Sequence, residues 1–474
     1  NWKAPTNPRT KVKNLYLIAS NLYKLKQFKL KKLNLGAIFG ANLNMSKPIK
    51  VMLWVFSALI FWPAMHALGS GNDFDIFIRA AYALKDGSDM YLQPRLNGLF
   101  YYYSPLFAWF LQPFTVFRGL SFAHESMLPD ILYDLVFVKT VWGLLTFFFI
   151  YRIIIIVKSQ FSLNSHAKEA WFWGLCMVIC YRWFFMNLWY GQLTVFVLWT
   201  ILESLVAKWT KFRWLQLAPM SLALNIKILP LFLFGKLGLD LDVKRGLTII
   251  AWVLFFIAVP FMVYPYDYIL GQTSNWLQAV NPLKSNHVIT VGEGGFVDLG
   301  AMVVKFFTRY DIPTEPMACI TELSHDAIFK ITMALRLFAM GIVTLIYFRI
   351  KRSQLQHKLW VGISVFTAVI PLVFPHQRDY SFAFLIPSVV YLVFNWVNPF
   401  VNETGSFDYK SWFNLQSSIF VLSLGMLGAV IFFELFSLET RYWIIGSRMQ
   451  GLGGLIFVSN YFIWLNKQLY ISKS

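Results

Sequence analysis

Residues Gly71-Asn72-Asp73-Phe74-Asp75 stand between the first strongly apolar stretch of the chain, 49–68, and an amphipathic stretch, 76–84. An apolar run of that length crosses about 30 Å of hydrocarbon at about 1.5 Å per residue of helix. It therefore reads as a membrane helix, with two carboxylates emerging at its end. Ionisable groups at the edge of a hydrocarbon layer are costly and mark function by default. The plain alternative is that Asp73 and Asp75 only cap the amphipathic helix, where carboxylates complement the positive end of the dipole.

Composition extends the membrane reading to the whole chain. With 474 residues, 57% hydrophobic and 14% charged, the sequence carries more apolar surface than a water-soluble core can bury, so an all-α polytopic membrane protein is expected. Aromatics at 19%, including 19 Trp and 22 Tyr, suit interfacial belts and a carbohydrate-facing cavity equally. Further apolar candidates are 131–157, 170–188, 193–207, 247–264, 327–350, 359–374, 380–397, 412–435 and 446–465. Two stretches are broken: 99–117 by Pro105 and Pro113, and 215–239 by Lys227 and Pro230. Reading the first as dipping into the outer leaflet and the second as a re-entrant pair gives about 10–13 membrane elements.

The net charge of +19 is concentrated, with eleven Lys/Arg and no acidic residue in positions 1–50. A basic flank before the first span places the N-terminus in the cytoplasm and Asp73 outside. Nucleic acid is a poor partner for this segment, because it adjoins a membrane anchor and contains no binding module. Met45-Ser46-Lys47 resembles a bacterial start, so 1–44 is expected to be an extension with little fold of its own, 45–400 a catalytic module, and 401–474 C-terminal helices. With no small-x-small cleavage pattern after it, the first span should stay as an anchor. Arg152, Lys158, Lys168, Lys208, Lys211, Arg213, Lys244, Arg245, Arg349, Lys351 and Arg352 then fall in cytoplasmic loops. Cys176, Cys180 and Cys319 form neither a disulfide framework nor a metal-ligand pattern.

This topology gathers the Asp73/Asp75 loop, 101–104, Trp189-Tyr190-Gly191-Gln192, the long loop 265–325 and Pro375-His376-Gln377-Arg378-Asp379 on the outer face, with Lys227 at a helix break near them. Such a mixture suits sugar transfer from a lipid-phosphate donor. An acceptor hydroxyl needs a base, for which Asp73 is the candidate. The departing phosphate needs cations or donors, for which Arg378, Lys227 and His376 are available. Tyr190 and Gln192, with Trp189, can hold a sugar by stacking and hydrogen bonding. Taken singly, Lys227 can instead snorkel, His376 can be an interfacial histidine, and Arg378–Asp379 a local pair. Gly292-Glu293-Gly294-Gly295 reads as a flexible lid rather than a phosphate loop, since no strand and helix frame it.

The series Asp73-Phe74-x-Ile76-Phe77, with Ala80/Ala81, Leu84, Gly87 and Tyr91, then Phe100-x-Tyr102-x-Ser104-Pro105-Leu106 and Pro113, resembles the N-terminal signature of glycosyltransferase family 87. That family is a branch of the GT-C membrane glycosyltransferases that includes polyprenyl-phosphate-mannose-dependent mannosyltransferases. Tyr190-Gly191-Gln192-Leu193-Thr194 resembles its Asn-Gly-Gln-x-Asn element, Asn225-Ile226-Lys227-x-x-Pro230 its Lys-Pro element, and Phe374-Pro375-His376-Gln377-Arg378-Asp379-Tyr380 its late His-bearing element. Thr194 stands where the family usually has Asn, Ser104 where it has Pro, and Pro-His-Gln-Arg where it often has paired histidines. The resemblance implies a GT-C fold with an extracytoplasmic first loop carrying an amphipathic helix. It places the catalytic aspartate on Asp73 and the late histidine on His376, while the chemistry of the residues makes Asp75, Tyr102, Tyr190, Gln192, Lys227, His376 and Arg378 the candidate substrate contacts. It further implies a hexosyltransferase of the bacterial cytoplasmic membrane, acting with inversion on its extracytoplasmic side. The donor is a polyprenyl-phosphate sugar, mannose first, the acceptor a lipid or glycan, and no metal or cofactor is obligatory. Asp75 is the rival base or a sugar-hydroxyl acceptor, although its place in the first helical turn equally suits the dipole. A transporter or flippase for a polar or lipid-linked sugar is the alternative of a different class, since broken helices with a lysine at the break also describe transporter sites.

Overall fold

The computed structural model describes residues 47–66, 73–91, 100–117, 135–207, 212–281, 296–308, 319–402, 405–408, 414–428 and 448–471, with isolated positions 210, 412 and 440. The basic extension 1–44 and the glycine-rich segment around Glu293 lie outside these residues.

The described residues are helical, with no named strand. In order they form α1 (Lys47–His66), α2 (Asp73–Lys85), α3 (Pro105–Leu111), α4 (Leu135–Gln160), α5 (His166–Trp189), α6 (Thr194–Leu205), α7 (Ala218–Ile226) and α8 (Phe232–Leu239). There follow α9 (Val243–Phe261), α10 (Tyr266–Ala279), α11 (Leu299–Phe307), α12 (His325–Arg352), α13 (Lys358–Val373), α14 (Ile386–Phe400), α15 (Leu415–Gly428) and α16 (Met449–Ile471). Short 3₁₀ turns cover Gln112–Phe117, Leu229–Leu231 and Asp379–Leu385.

Among the described residues, four helical segments are long and apolar enough to cross a membrane: Val138–Gln160, Val243–Phe261, His325–Arg352 and Asp379–Phe400. The pair α5 and α6, bent by 118° at its break, makes a fifth if counted as one span. This fits an all-α polytopic membrane protein. The expected separate crossing at 193–207 is corrected: α6 has 12 residues, about 18 Å at 1.5 Å per residue, and belongs to that bent pair. The stretch 99–117 contains only the seven-residue α3 and a 3₁₀ turn, which pack on α2. The stretch 215–239 is broken where Lys227 adopts an extended backbone ahead of Pro230.

Caps explain several helix starts. Ser165 accepts from the Lys168 amide (3.2 Å), Ser324 from Ala327 (3.3 Å), and Asp298 from Gly300 (2.9 Å) and Ala301 (3.3 Å). Arg349, Lys351 and Arg352 in the last turn of α12 complement its negative end. Gly453 lets α16 approach α15, since a Cβ there would stand 2.7 Å from Met426 Cβ.

The basic groups assemble at one end of this architecture. Lys158 at the end of α4 meets Glu169 at the start of α5 (3.8 Å), Lys168 reaches the Asn398 carbonyl near the end of α14 (2.8 Å), and Lys351 reaches the Leu239 carbonyl (2.9 Å). Followed away from these contacts, α5 runs to Gln192 and α13 to His376 and Arg378. One correction concerns Arg152, expected in a cytoplasmic loop. It lies inside α4, buried, with its Nη2 2.6 Å from Glu203 Oε1 on α6, because a charge within an apolar helix requires an opposite charge at contact distance.

Candidate functional site

At the end of the architecture away from that basic cluster lies a cavity of about 340 Å³. Asp73, Tyr102, Gln192, Lys227, His376 and Arg378 all line it, although they come from five separate parts of the chain. The remaining wall is mainly apolar and aromatic, including Phe77, Phe100, Tyr103, Ile228, Leu229, Phe296, Phe374 and Tyr380.

Asp73 is the first residue of α2 and is held by the side-chain amide of Gln192, whose Nε2 donates to Asp73 Oδ2. Burial pushes the Asp73 carboxyl above its ordinary range and Asp75 adds to this; Arg378, the Gln192 hydrogen bond and Lys227 pull the other way, and burial prevails. Gln192 follows the turn that joins α5 to α6. Gly191 takes φ +63°, a region that favours glycine, and Gln192 N–H donates to the Asn187 carbonyl (2.8 Å). The buried Asn187 side chain also donates to the Tyr380 carbonyl (3.0 Å) and accepts from the Val195 amide (3.3 Å), fastening this turn to the segment that carries Arg378.

Lys227 ends α7, and its ammonium stands 5.6 Å from the centre of the Tyr103 ring and 5.7 Å from that of Tyr380. Such contacts stabilise a cation without neutralising it. Arg378 has its guanidinium 5.7 Å from the Phe296 ring and 6.0 Å from the Tyr190 ring. Its backbone is braced by an antiparallel bridge to Phe296, beside a 2.7 Å hydrogen bond from Val297 N–H to the Gln377 carbonyl. Asp379 pairs across the fold with Arg182 on α5 (3.9 Å) and is also drawn by the neighbouring Arg378, so its partners are both long-range and local. His376 stacks on Tyr102 (5.8 Å, 18°) and presents an edge contact to Phe296 (5.4 Å, 77°). It does so from φ +57°, a left-handed backbone that is unfavourable for a non-glycine residue.

Two of the expected substrate contacts stand outside the cavity lining. Asp75 does not line the cavity: it is buried on the opposite side of α2, with Oδ1 2.8 Å from Lys139 Nζ on α4, and so ties the two helices together. Tyr190 is not among the lining residues either; it stands edge-on to Tyr380 (6.0 Å) with the Arg378 guanidinium over its ring (6.0 Å). The sequence reading brought 101–104 and Tyr380 to this face without giving Tyr103 or Tyr380 a role, and it did not name Phe296 in the wall or Lys139 and Asn187 behind it. Lys139 carried a usable signal, since a lysine inside an apolar stretch demands a nearby anion.

The arrangement sets one carboxylate opposite two basic groups in a partly enclosed aromatic pocket: Arg378, which stays charged, and Lys227, which burial lowers to about 8 against the pull of Asp73. It can take a proton from a hydroxyl, hold an anionic group and stack a sugar ring. Among the described residues no group of three or more His, Cys, Asp or Glu is placed to hold a metal ion. Comparison with family models, with curated proteins and with solved structures finds no match for this chain.

Proposed function

We propose that this chain is a membrane glycosyltransferase that moves a hexose, mannose first, from a polyprenyl-phosphate sugar to a lipid or glycan acceptor. The reaction takes place on the extracytoplasmic side of a bacterial cytoplasmic membrane. The reading rests on the cavity, where Asp73 stands with Lys227 and Arg378 within an aromatic wall; the motif resemblance to glycosyltransferase family 87 supports it. The acceptor hydroxyl attacks the anomeric carbon while Asp73 takes its proton. The bond from that carbon to the phosphate oxygen breaks, and its electron pair leaves with the phosphate. Arg378 and Lys227 meet the charge as it accumulates. A single displacement inverts the anomeric centre. The apolar side of the cavity, with Ile228, Leu229 and Phe374, accommodates the first isoprene units of the donor.

The test is transfer of radiolabelled sugar by purified protein from synthetic polyprenyl-phosphate mannose, glucose and galactose to a membrane-lipid extract, with nucleotide sugars as control. Label should pass from a lipid-phosphate donor into extract lipid or glycan and be lost with Asp73→Asn. Transfer from nucleotide sugars alone, or from none, rejects the reading. A carrier for a polar or lipid-linked sugar is the second reading, favoured by the 118° bend between α5 and α6 and the break at Lys227. In vesicles it would move labelled solute without forming a glycosidic bond.

A further inference from the structure

Gln192 lines the cavity, and a side-chain amide in a sugar site is ordinarily taken as a ligand for sugar hydroxyls. Its hydrogen bonds point elsewhere. Both ends of the amide face protein groups: Nε2 donates to Asp73 Oδ2, and Oε1 accepts from the Tyr103 hydroxyl at 3.4 Å. Gln192 is only 2% exposed. The backbone that carries it is set by Gly191 and by the Asn187 carbonyl, and the Asn187 side chain bonds the Tyr380 carbonyl. Tyr103 in turn packs edge-on against Phe77, one turn along α2 from Asp73, with ring centres 4.6 Å apart.

We propose that Gln192 is a positioning residue for Asp73, oriented by the Tyr103 hydroxyl, and not a sugar ligand. This deepens the glycosyltransferase reading and rests on Asp73 being its base. Physically, one amide donor occupies Oδ2 and fixes the carboxylate plane, which leaves Oδ1 to receive the acceptor proton. Tyr103 determines which end of the amide faces Asp73: a hydroxyl donating to Oε1 keeps the N–H end toward the carboxylate, whereas the flipped amide would set an oxygen against it. Because Gln192 and Tyr380 share Asn187, the orientation of the base is tied to the segment holding Arg378.

The groups acting on Asp73 are the cations Arg378 and Lys227, the Asp75 carboxylate, the Tyr103, Tyr190 and Tyr380 phenols and the Gln192 amide. Among them, Gln192 can be changed without changing any charge. Gln192→Leu removes a hydrogen bond that favours the charged carboxylate, so protonation of Asp73 becomes easier and the acid limb of the pH profile moves to higher pH.

Two measurements on the full-length protein in nanodiscs test the proposal, with thermal melts confirming that each variant is folded. In the first, turnover is followed against pH with polyprenyl-phosphate mannose and membrane-lipid extract for wild type, Gln192→Leu, Tyr103→Phe and Asp73→Asn. Gln192→Leu should lose about 10- to 100-fold in kcat, with the KM for donor and acceptor within about threefold of wild type, and its acid limb should rise. Tyr103→Phe should shift the profile in the same direction by less. An unchanged kcat and pH profile with a raised acceptor KM would make Gln192 a sugar ligand and overturn the proposal. If Asp73→Asn were as active as wild type, the base assignment itself would fall. The second measurement needs no turnover. Infrared titration of the protonated-carboxyl band that disappears in Asp73→Asn reads the Asp73 midpoint directly. A midpoint raised in Gln192→Leu supports the proposal, and an unmoved one refutes it even if no donor is accepted.

Discussion

Separating the two carboxylates of the Asp73-Phe74-Asp75 triplet is a direct challenge to the site, and the ion pair between Asp75 and Lys139 makes the challenge quantitative. The pair is 2.8 Å apart, with side chains 1% and 3% exposed. At an effective dielectric constant of about 20, two unit charges at that distance attract by about 6 kcal/mol, most of which offsets the cost of removing both from water. Deleting one partner strands the other charge, so Lys139→Met or Asp75→Asn alone should destabilise the folded protein by about 3–5 kcal/mol. The double variant should recover most of that loss, because it buries no unpaired charge. Denaturant unfolding in mixed micelles, read by tryptophan fluorescence in a double-mutant cycle, should give a coupling of about 2 kcal/mol or more. Transfer by the double variant should stay within about tenfold of wild type, since neither group faces the cavity. A coupling below about 0.5 kcal/mol, or a well-folded double variant without turnover, would refute the structural role of Asp75.

Neutral replacement of either cavity cation, Arg378→Gln or Lys227→Met, should weaken the use of a lipid-phosphate donor by about 2–4 kcal/mol; donor titrations with kcat and KM resolved would check this. At His376, whose φ of +57° opposes a Cβ, His376→Gly should be more stable than His376→Ala by about 1 kcal/mol, measured by the same unfolding assay. Because burial holds the Asp73 carboxyl above its ordinary range and lowers the Lys227 ammonium to about 8, turnover should fall on the acid side as Asp73 is protonated and on the alkaline side as Lys227 loses its charge, which a pH profile of kcat checks. Lys227→Met, which removes a cation favouring the ionised form, should move the acid midpoint higher still.

Much of the cavity could be approached from local sequence, for physical reasons particular to each residue. Asp73, Lys227, His376 and Arg378 are ionisable groups at breaks in apolar stretches, and Gly191 and Pro230 announce the turns that bring Gln192 and Lys227 to one end of their helices. The partners of these groups were not legible, because contacts between distant segments have no local spacing to betray them. Asp75 looks equivalent to Asp73 until Lys139 is placed beside it. Arg152 looks like a loop charge until α4 continues past it to Gln160 and Glu203 meets it. Tyr102 and Tyr103 are adjacent; only the packing shows that one stacks on His376 while the other bonds Gln192. The apolar stretch 193–207 looks like a crossing of its own, and only the structure shows the bend near Gly191 that joins it to α5 without any change of composition.

The central claim is that Asp73 is the base for sugar transfer from a lipid phosphate. Its most direct test is turnover and donor binding measured side by side for wild type and Asp73→Asn, in purified protein reconstituted with polyprenyl-phosphate mannose and the acceptor extract. Asn keeps the size of Asp but cannot accept a proton at neutral pH, so transfer should fall by about a hundredfold or more while donor affinity stays within a few-fold. A folded Asp73→Asn protein that binds donor and transfers sugar at near wild-type rate would contradict the claim.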